Sequence, residues 1–207
     1  MTNGQITKFV LKEMMENHFD DCLSDYGFSR RKNASVYTRK IDAVTQRIMV
    51  RAMSSPISSN RSVIALILPE FAITYPDVNR VAAEMFGEDK VRDYTLKRQV
   101  HNLAKPVTWW YYEQEYSIDE IACEIKDFFE RIVLPFLDDY ASVQGFIKFY
   151  ESGDKRYPYC LSDYVFVASA YVCAGEPEKG LAVLEKHLSK PGLRKEYAKA
   201  FEYFANS

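Results

Sequence analysis

The stretch from Ser35 to Met53 constrains the fold more than any other part of the chain. "SVYTRKI" (35–41) and "VTQRIMVRAM" (44–53) both alternate, and only Asp42-Ala43 lies between them. Period-two alternation belongs to a strand, and a two-residue connection joins antiparallel neighbours, so this is a β-hairpin. Val44, Gln46, Ile48, Val50 and Ala52 share one face of the second strand, and Thr45, Arg47, Met49, Arg51 and Met53 the other. A sheet built on this hairpin needs a cover for its apolar side, and the flanking segments supply candidates.

Residues 6–25 read as an amphipathic helix with Leu11, Met15, His18 (or Phe19), Cys22 and Tyr26 at spacings of three and four. Gly27 follows where a left-handed cap is expected. "SVIALILP" (62–69) is a continuous apolar run, which predicts a central strand ending at Pro69. Pro76 opens a short helix that Gly87 closes, and "YTLKRQVHNL" (94–103) alternates as a fourth strand. Ser117 and Glu120 form a capping box ahead of a stripe of Ile118, Ile121, Ala122, Ile125, Phe128, Phe129 and Ile132, with Pro135 ending or kinking the helix. The order predicts an α+β fold: a mainly antiparallel sheet of four to five strands flanked by helices, over residues 1–140.

Residues 141–207 carry no strand signal and predict an all-helical appendage. Within it, "SDYVFVASAYVCAGEPEKGLAVLEKHLSKPG" (162–192) holds two helical stripes hinged at Gly175-Glu176-Pro177. This resembles one tetratricopeptide-type hairpin, over about 161–194, with Tyr164, Val167, Ala168 and Tyr171 on the first helix and Gly180, Leu184 and Pro191 on the second. One unit cannot bury its own face, so the resemblance implies that the hairpin docks on the α+β body as a cap.

A second resemblance covers about residues 7–140. "CLSDYGFSRRKNASVYTRK", "LKRQVHNLAKPVTWWYYEQ" and "IVLPFLDDY" are similar to the opening helix and first strand, the polar strand with paired tryptophans, and the Pro-terminated last helix of a family of uncharacterised bacterial α+β domains. Domains of this general kind also occur as immunity proteins beside secreted bacterial toxins. The resemblance implies a protein partner and no catalytic residue.

Net charge is −2, which commits the whole chain neither to nucleic acid nor to an anionic membrane. Locally, residues 27–53 carry seven cations against Asp42 alone, a balance of +6, whereas 113–139 carry nine carboxylates against Lys126 and Arg131, a balance of −7. Either the two segments pack near each other within the chain or are simply solvated faces, or the basic strand face meets an acidic partner. Cys22, Cys123, Cys160 and Cys173 lack CxxC spacing and read as buried free thiols of a reducing cytoplasm. No leader pattern opens the sequence and no run of 18 apolar residues occurs, so a soluble cytoplasmic chain with no membrane contact is expected.

The candidate contact residues lie in two places. In "PVTWWYYEQEY" (106–116), extended backbone would turn Trp109 and Tyr111 one way and Trp110 and Tyr112 the other. The pairs are either both buried, or one stays exposed as an aromatic contact site. Lys97, Arg98 and Lys105 lie near enough to serve single-stranded nucleic acid, but Glu113 and Glu115 follow at once, which disfavours that partner. The other place is the hairpin, where Arg47 and Arg51 share a face and Arg39 could neighbour them as a carboxylate-binding strip.

His18 and Cys22, one turn apart, match half a zinc site without further ligands at suitable spacing, and read as core. His101 with Arg98 is the only arrangement that suggests acid–base chemistry, and it lacks an identified nucleophile. GxGxxG, GxxxxGK[ST], GxSxG and HExxH are all absent. The expectation is a non-catalytic protein-binding module with no cofactor and no metal, whose partner is another protein or a second copy of this chain. A small enzyme or a nucleic-acid-binding protein is the alternative.

Overall fold

The computed structural model describes residues 1–54, 63–88, 92–104, 109–113 and 117–206. The fold is α+β, with a six-stranded sheet ordered β1-β2-β3-β4-β5 and β6 paired with β4. The strands are β1 (Ser29–Arg30), β2 (Val36–Ile41), β3 (Val44–Ser54), β4 (Val63–Thr74), β5 (Leu96–Gln99) and β6 (Trp110–Glu113). The chain divides into two compact units: Met1–Lys40 with Gln46–Ala72 and Lys97–Asp138, and Ile41–Thr45 with Ile73–Leu96 and Asp139–Ser207.

The first unit holds most of the sheet and two long helical runs. α1 (Asn3–Met14) opens on a Thr2/Gln5 capping box, passes through a π turn at Met15–Phe19 and continues as α2 (Asp20–Asp25). Gly27, at φ 79°, makes the left-handed exit that the sequence predicts. The second run repeats the plan: α4 (Ile118–Phe128), a π turn at Phe129–Val133, then α5 (Leu134–Asp139).

Each π turn adds one residue to a helical turn and rotates everything after it. Val10 and Met14 are buried ahead of the first π turn, Met15 and Phe19 within it, and Cys22 and Leu23 after it, whereas Leu11 and His18 are half-buried and Tyr26 is exposed. Phe19 and Phe129, one from each π turn, meet in the core with ring centroids 5.5 Å apart. Pro135 does not end the second helix. The π turn directly before it, closed by the Leu134 N–H on the Phe129 carbonyl, precedes the missing donor, and helix continues to Asp139.

Three further expectations are corrected. β4 passes through Pro69 to Thr74. Its described pairing with β6 ends at Ile67, so Pro69 stands beyond that ladder. The predicted fourth strand is short: after Gln99 the chain coils into a 3-10 turn, Val100–Leu103. Of the cysteines only Cys22 is buried, because Cys123, Cys160 and Cys173 lie on exposed positions.

The helices of the first unit cover one face of its sheet. Trp110 meets Phe128 edge-on at 5.2 Å, Phe71 of β4 meets Phe136 of α5 at 5.0 Å, and the buried Gln46 amide donates to the Leu137 carbonyl at 2.5 Å. Arg39 lies on this same side. It donates to the Gln46 side-chain oxygen through Nε (3.0 Å) and Nη2 (2.6 Å) and to Asp138 at 2.7 Å, and stacks on the Phe28 ring.

The second unit is a helical cluster with the tip of the hairpin, where Asp42 adopts φ 51°. α3 (Pro76–Phe86) packs with α7 (Asp163–Cys173) and with α10 (Ala198–Ala205), and α7 pairs with α8 (Pro177–Leu188) in the helical hairpin expected there. Its core joins Met85, Val165, Ala168, Leu184, Leu188 and Ala200. The hairpin is thus covered by α3, a helix from far earlier in the chain, and by α6 (Val143–Glu151). Gly180 of α8 sits so close to α7 that a Cβ there would stand 2.8 Å from the Ala168 carbonyl oxygen.

Candidate functional site

The antiparallel register of β6 on β4 decides which aromatic rings are buried. Ile67 stands opposite Trp110, Leu66 opposite Tyr111, and Ala65 opposite Tyr112. Ile67 belongs to the helix-covered face, so Trp110 is carried into the core and is 3% exposed. Tyr111 points to the other face, with 46% of its surface in water. Tyr112 is half-buried. Trp109 is also 46% exposed, and its indole leans on the His101 imidazole at 4.3 Å between centroids. One tryptophan is therefore core and its neighbour is surface.

His101 comes from the 3-10 turn that replaced the end of the expected strand. It is 4% exposed, and its Nδ1 has no hydrogen-bond partner among the described residues. Burial pushes the imidazole below its usual pKa, so it is neutral at pH 7. No described side chain orients it toward a nucleophile, as a general base would require.

On the face that carries Tyr111, where Met49 and Leu68 are nonetheless buried, Glu70 of β4 receives Arg51 of β3 (3.2 Å) and Lys97 of β5 (3.3 Å). Strand alternation places Arg47 and Met53 beside Arg51 on this face, and Met53 is 60% exposed. Arg98, the next residue after Lys97, bends its guanidinium back to the Lys97 carbonyl at 2.7 Å. The structure thus brings together Arg47, Arg51 and Tyr111 on one sheet surface, with Trp109 leading into β6. It does not bring Arg39 to them, because Arg39 is spent on the opposite face. The expected pairing of the basic and acidic segments is realised by Arg39 with Asp138, whereas Arg51 pairs with Glu70 instead.

His18 and Cys22 have other partners. His18 Nε2 bonds Asp119 at 2.9 Å, and the Cys22 thiol, 3.4 Å from Glu130, is pushed up to about 11, first by burial and then by that carboxylate. No group of three or more candidate metal ligands gathers among the described residues. The sequence reading passed over Glu70 and Met53 as contact residues. The only signal for Glu70 was a lone carboxylate after Pro69, inside a strand that the proline was expected to end.

Leaving nearly half of an indole and of a phenol ring in water forgoes about 2 kcal/mol of apolar transfer each, by area. The described surface is therefore an aromatic and thioether patch bordered by a small ionic network, with more cations than carboxylates. It is suited to burial against another surface and carries no catalytic constellation. No helix among the described residues is long and apolar enough to cross a membrane. Comparison of the chain with protein-family models, with curated proteins and with solved structures finds no match.

Proposed function

We propose that the chain is a non-catalytic protein-binding module of the bacterial cytoplasm, which docks a partner protein through the exposed side chains of Trp109, Tyr111 and Met53. The observation that carries this reading is the exposure of Trp109 and Tyr111 beside a tryptophan that the same four-residue strand buries completely. Rigid aromatic rings give contact area at little entropic cost, and they dominate interface energetics. Arg51 and Lys97 at Glu70, with Arg47 on the same face of β3, favour a partner whose rim is acidic. The family resemblance makes a secreted bacterial toxin domain the first partner class to try.

The test is capture from native lysate by the wild-type chain and by a Trp109→Ala/Tyr111→Ala variant, followed by affinity measurement on any stoichiometric protein retained. A protein held by the wild type and lost, by tenfold or more, from the variant supports the reading. Retention that is indifferent to both substitutions moves the interface elsewhere. Retention of nucleic acid, with affinity falling steeply as salt rises, replaces the reading with a nucleic-acid one.

A further inference from the structure

Trp109 leaves 46% of its surface in water, yet its indole leans on one particular side chain, the His101 imidazole, with centroids 4.3 Å apart and ring planes inclined by 39°. His101 belongs to the 3-10 turn Val100–Leu103, whose Val100 and Leu103 are 0% and 5% exposed, and is itself only 4% exposed. The turn is packed into the core, so the imidazole is a fixed floor on which the indole rests. A ring held in one pose gives contact area to a partner without first being ordered.

This floor suits a neutral imidazole alone. Nδ1 is buried with no hydrogen-bond partner among the described residues. An imidazolium carries a donor on both nitrogens, so protonation would strand a charged N–H without an acceptor. The charges on neighbouring elements are turned elsewhere. Glu130 and Arg131, on the π turn packed against this one, engage the Cys22 thiol and Asp127. On β5, Lys97 pairs with Glu70 and Arg98 bends back to the Lys97 carbonyl, and Glu113 closes the far end of β6. The indole face offers a cation some attraction, but less than the hydration that burial removes. Burial pushes His101 below its ordinary 6.5, with no charged group among the described residues contributing.

We propose that His101 is the positioning residue for Trp109: neutral, it seats the indole in the pose a partner meets, and protonated, it leaves its niche for water and releases the indole. The consequence for docking rests on the protein-binding reading above, whereas the seat itself does not. A released imidazole binds protons at the ordinary 6.5 and a seated one more weakly, so falling pH favours release. Each pH unit below 6.5 multiplies the released population up to about tenfold, until the seated form titrates as well.

The experiment is acrylamide quenching of the tryptophan emission of the whole chain between about pH 8 and 4.5, alongside NMR titration of the His101 ring. Acrylamide is neutral, so the growing positive charge of the protein does not bias it, and Trp110, 3% exposed, adds a constant background. On acidification the Trp109 quenching constant should about double, since the indole passes from 46% to nearly full exposure. The midpoint should lie below 6.5 and coincide with that of the His101 ring. His101→Phe keeps an uncharged ring under the indole and should hold the low constant at every pH, whereas His101→Ala should show the high one throughout. Replacing the other two histidines together, His18→Gln with His187→Gln, should leave the wild-type curve. A flat wild-type curve, a midpoint that departs from that of His101, or stronger protection in acid overturns the proposal, and these need no variant to fold. So does an acid transition that survives in His101→Phe. None of these readouts involves a partner, so their failure leaves the docking reading standing, and a failed capture leaves them intact.

Discussion

Replacing Gln46 with leucine removes a side chain that ties β3, through a polar bridge, to the end of α5. Gln46 is fully buried, and all three of its hydrogen bonds are accounted for: its amide donates to the Leu137 carbonyl, and its oxygen accepts twice from Arg39. Leu137 lies in the last turn of α5, where a helix has no N–H of its own to offer the carbonyl. In Gln46→Leu that carbonyl loses its partner, at about 1–2 kcal/mol, and the Arg39 guanidinium loses two charge-assisted bonds worth about 1.5–3 kcal/mol together. Leucine returns about 1 kcal/mol of apolar transfer, so the net cost is about 3 kcal/mol. That is a fall of about 6–12 °C in Tm for a chain of this size. Both tryptophans lie in the first unit, so urea unfolding followed by their fluorescence reads this loss where it occurs. A double-mutant cycle with Arg39→Met should show coupling of about 1–3 kcal/mol, since the second substitution removes the stranded cation. A cost below about 1 kcal/mol, or strict additivity with Arg39→Met, would refute the reasoning.

Other outcomes follow from the same geometry. Burial alone would raise the Asp20 carboxyl, but the hydrogen bonds from Arg30 and Tyr37 and the Arg30 charge outweigh it and hold the group below its ordinary 3.8. Because the folded pKa is depressed, the stabilisation is present above the unfolded value and lost as pH falls through the folded one. Asp20→Asn should therefore lower stability at pH 7 and flatten the loss below about pH 4, read from unfolding midpoints between pH 2 and 7. Iodide should quench only part of the wild-type tryptophan emission. Trp109→Phe should leave a blue-shifted, iodide-resistant signal from Trp110, and strong quenching of that remainder would contradict its burial. Gly180→Ala should destabilise by about 1–3 kcal/mol, because the new methyl would face a backbone oxygen at 2.8 Å and the Phe204 ring at 3.1 Å; an unchanged thermal midpoint would show that α8 can move away freely.

Much of the architecture was legible because it rests on local rules. The two-residue hairpin, Pro76 and Gly87 around α3, the Ser117 capping box and the α7–α8 hairpin all follow from turn, cap and period signals that a few neighbouring residues decide. The errors share a different origin. A 3.6-residue template run through residues 11–26 selects Leu11 and leaves His18 or Phe19 open, whereas in the structure Met14 is buried in place of Leu11, and the π turn buries Phe19 and leaves His18 half-buried. Pro69 reads as a terminator and Pro135 as a stop or a kink, yet the element continues through each, accommodated by the limit of the β6 ladder at Ile67 and by the π turn at Phe129–Val133. Such accommodation depends on contacts between residues far apart in sequence, and a single chain gives no local mark of it.

The same limit explains why the contact face was only half visible. Alternation alone separates Trp109 from Trp110, but it does not say which of them the helices cover. That choice was made by the β4–β6 register, which puts Trp110 opposite Ile67 and Tyr111 opposite Leu66. A slip of one residue would exchange the two sets, leaving Trp110 in water and forcing Tyr111 against Phe128. The edge-on packing of Trp110 on Phe128 at 5.2 Å is what such a slip would destroy, so the buried ring acts as the anchor of the exposed one. The Trp109–Tyr111 surface is held in place by a core contact on the opposite side of the same strand, and a substitution at Phe128 should disturb it as surely as one at Trp109.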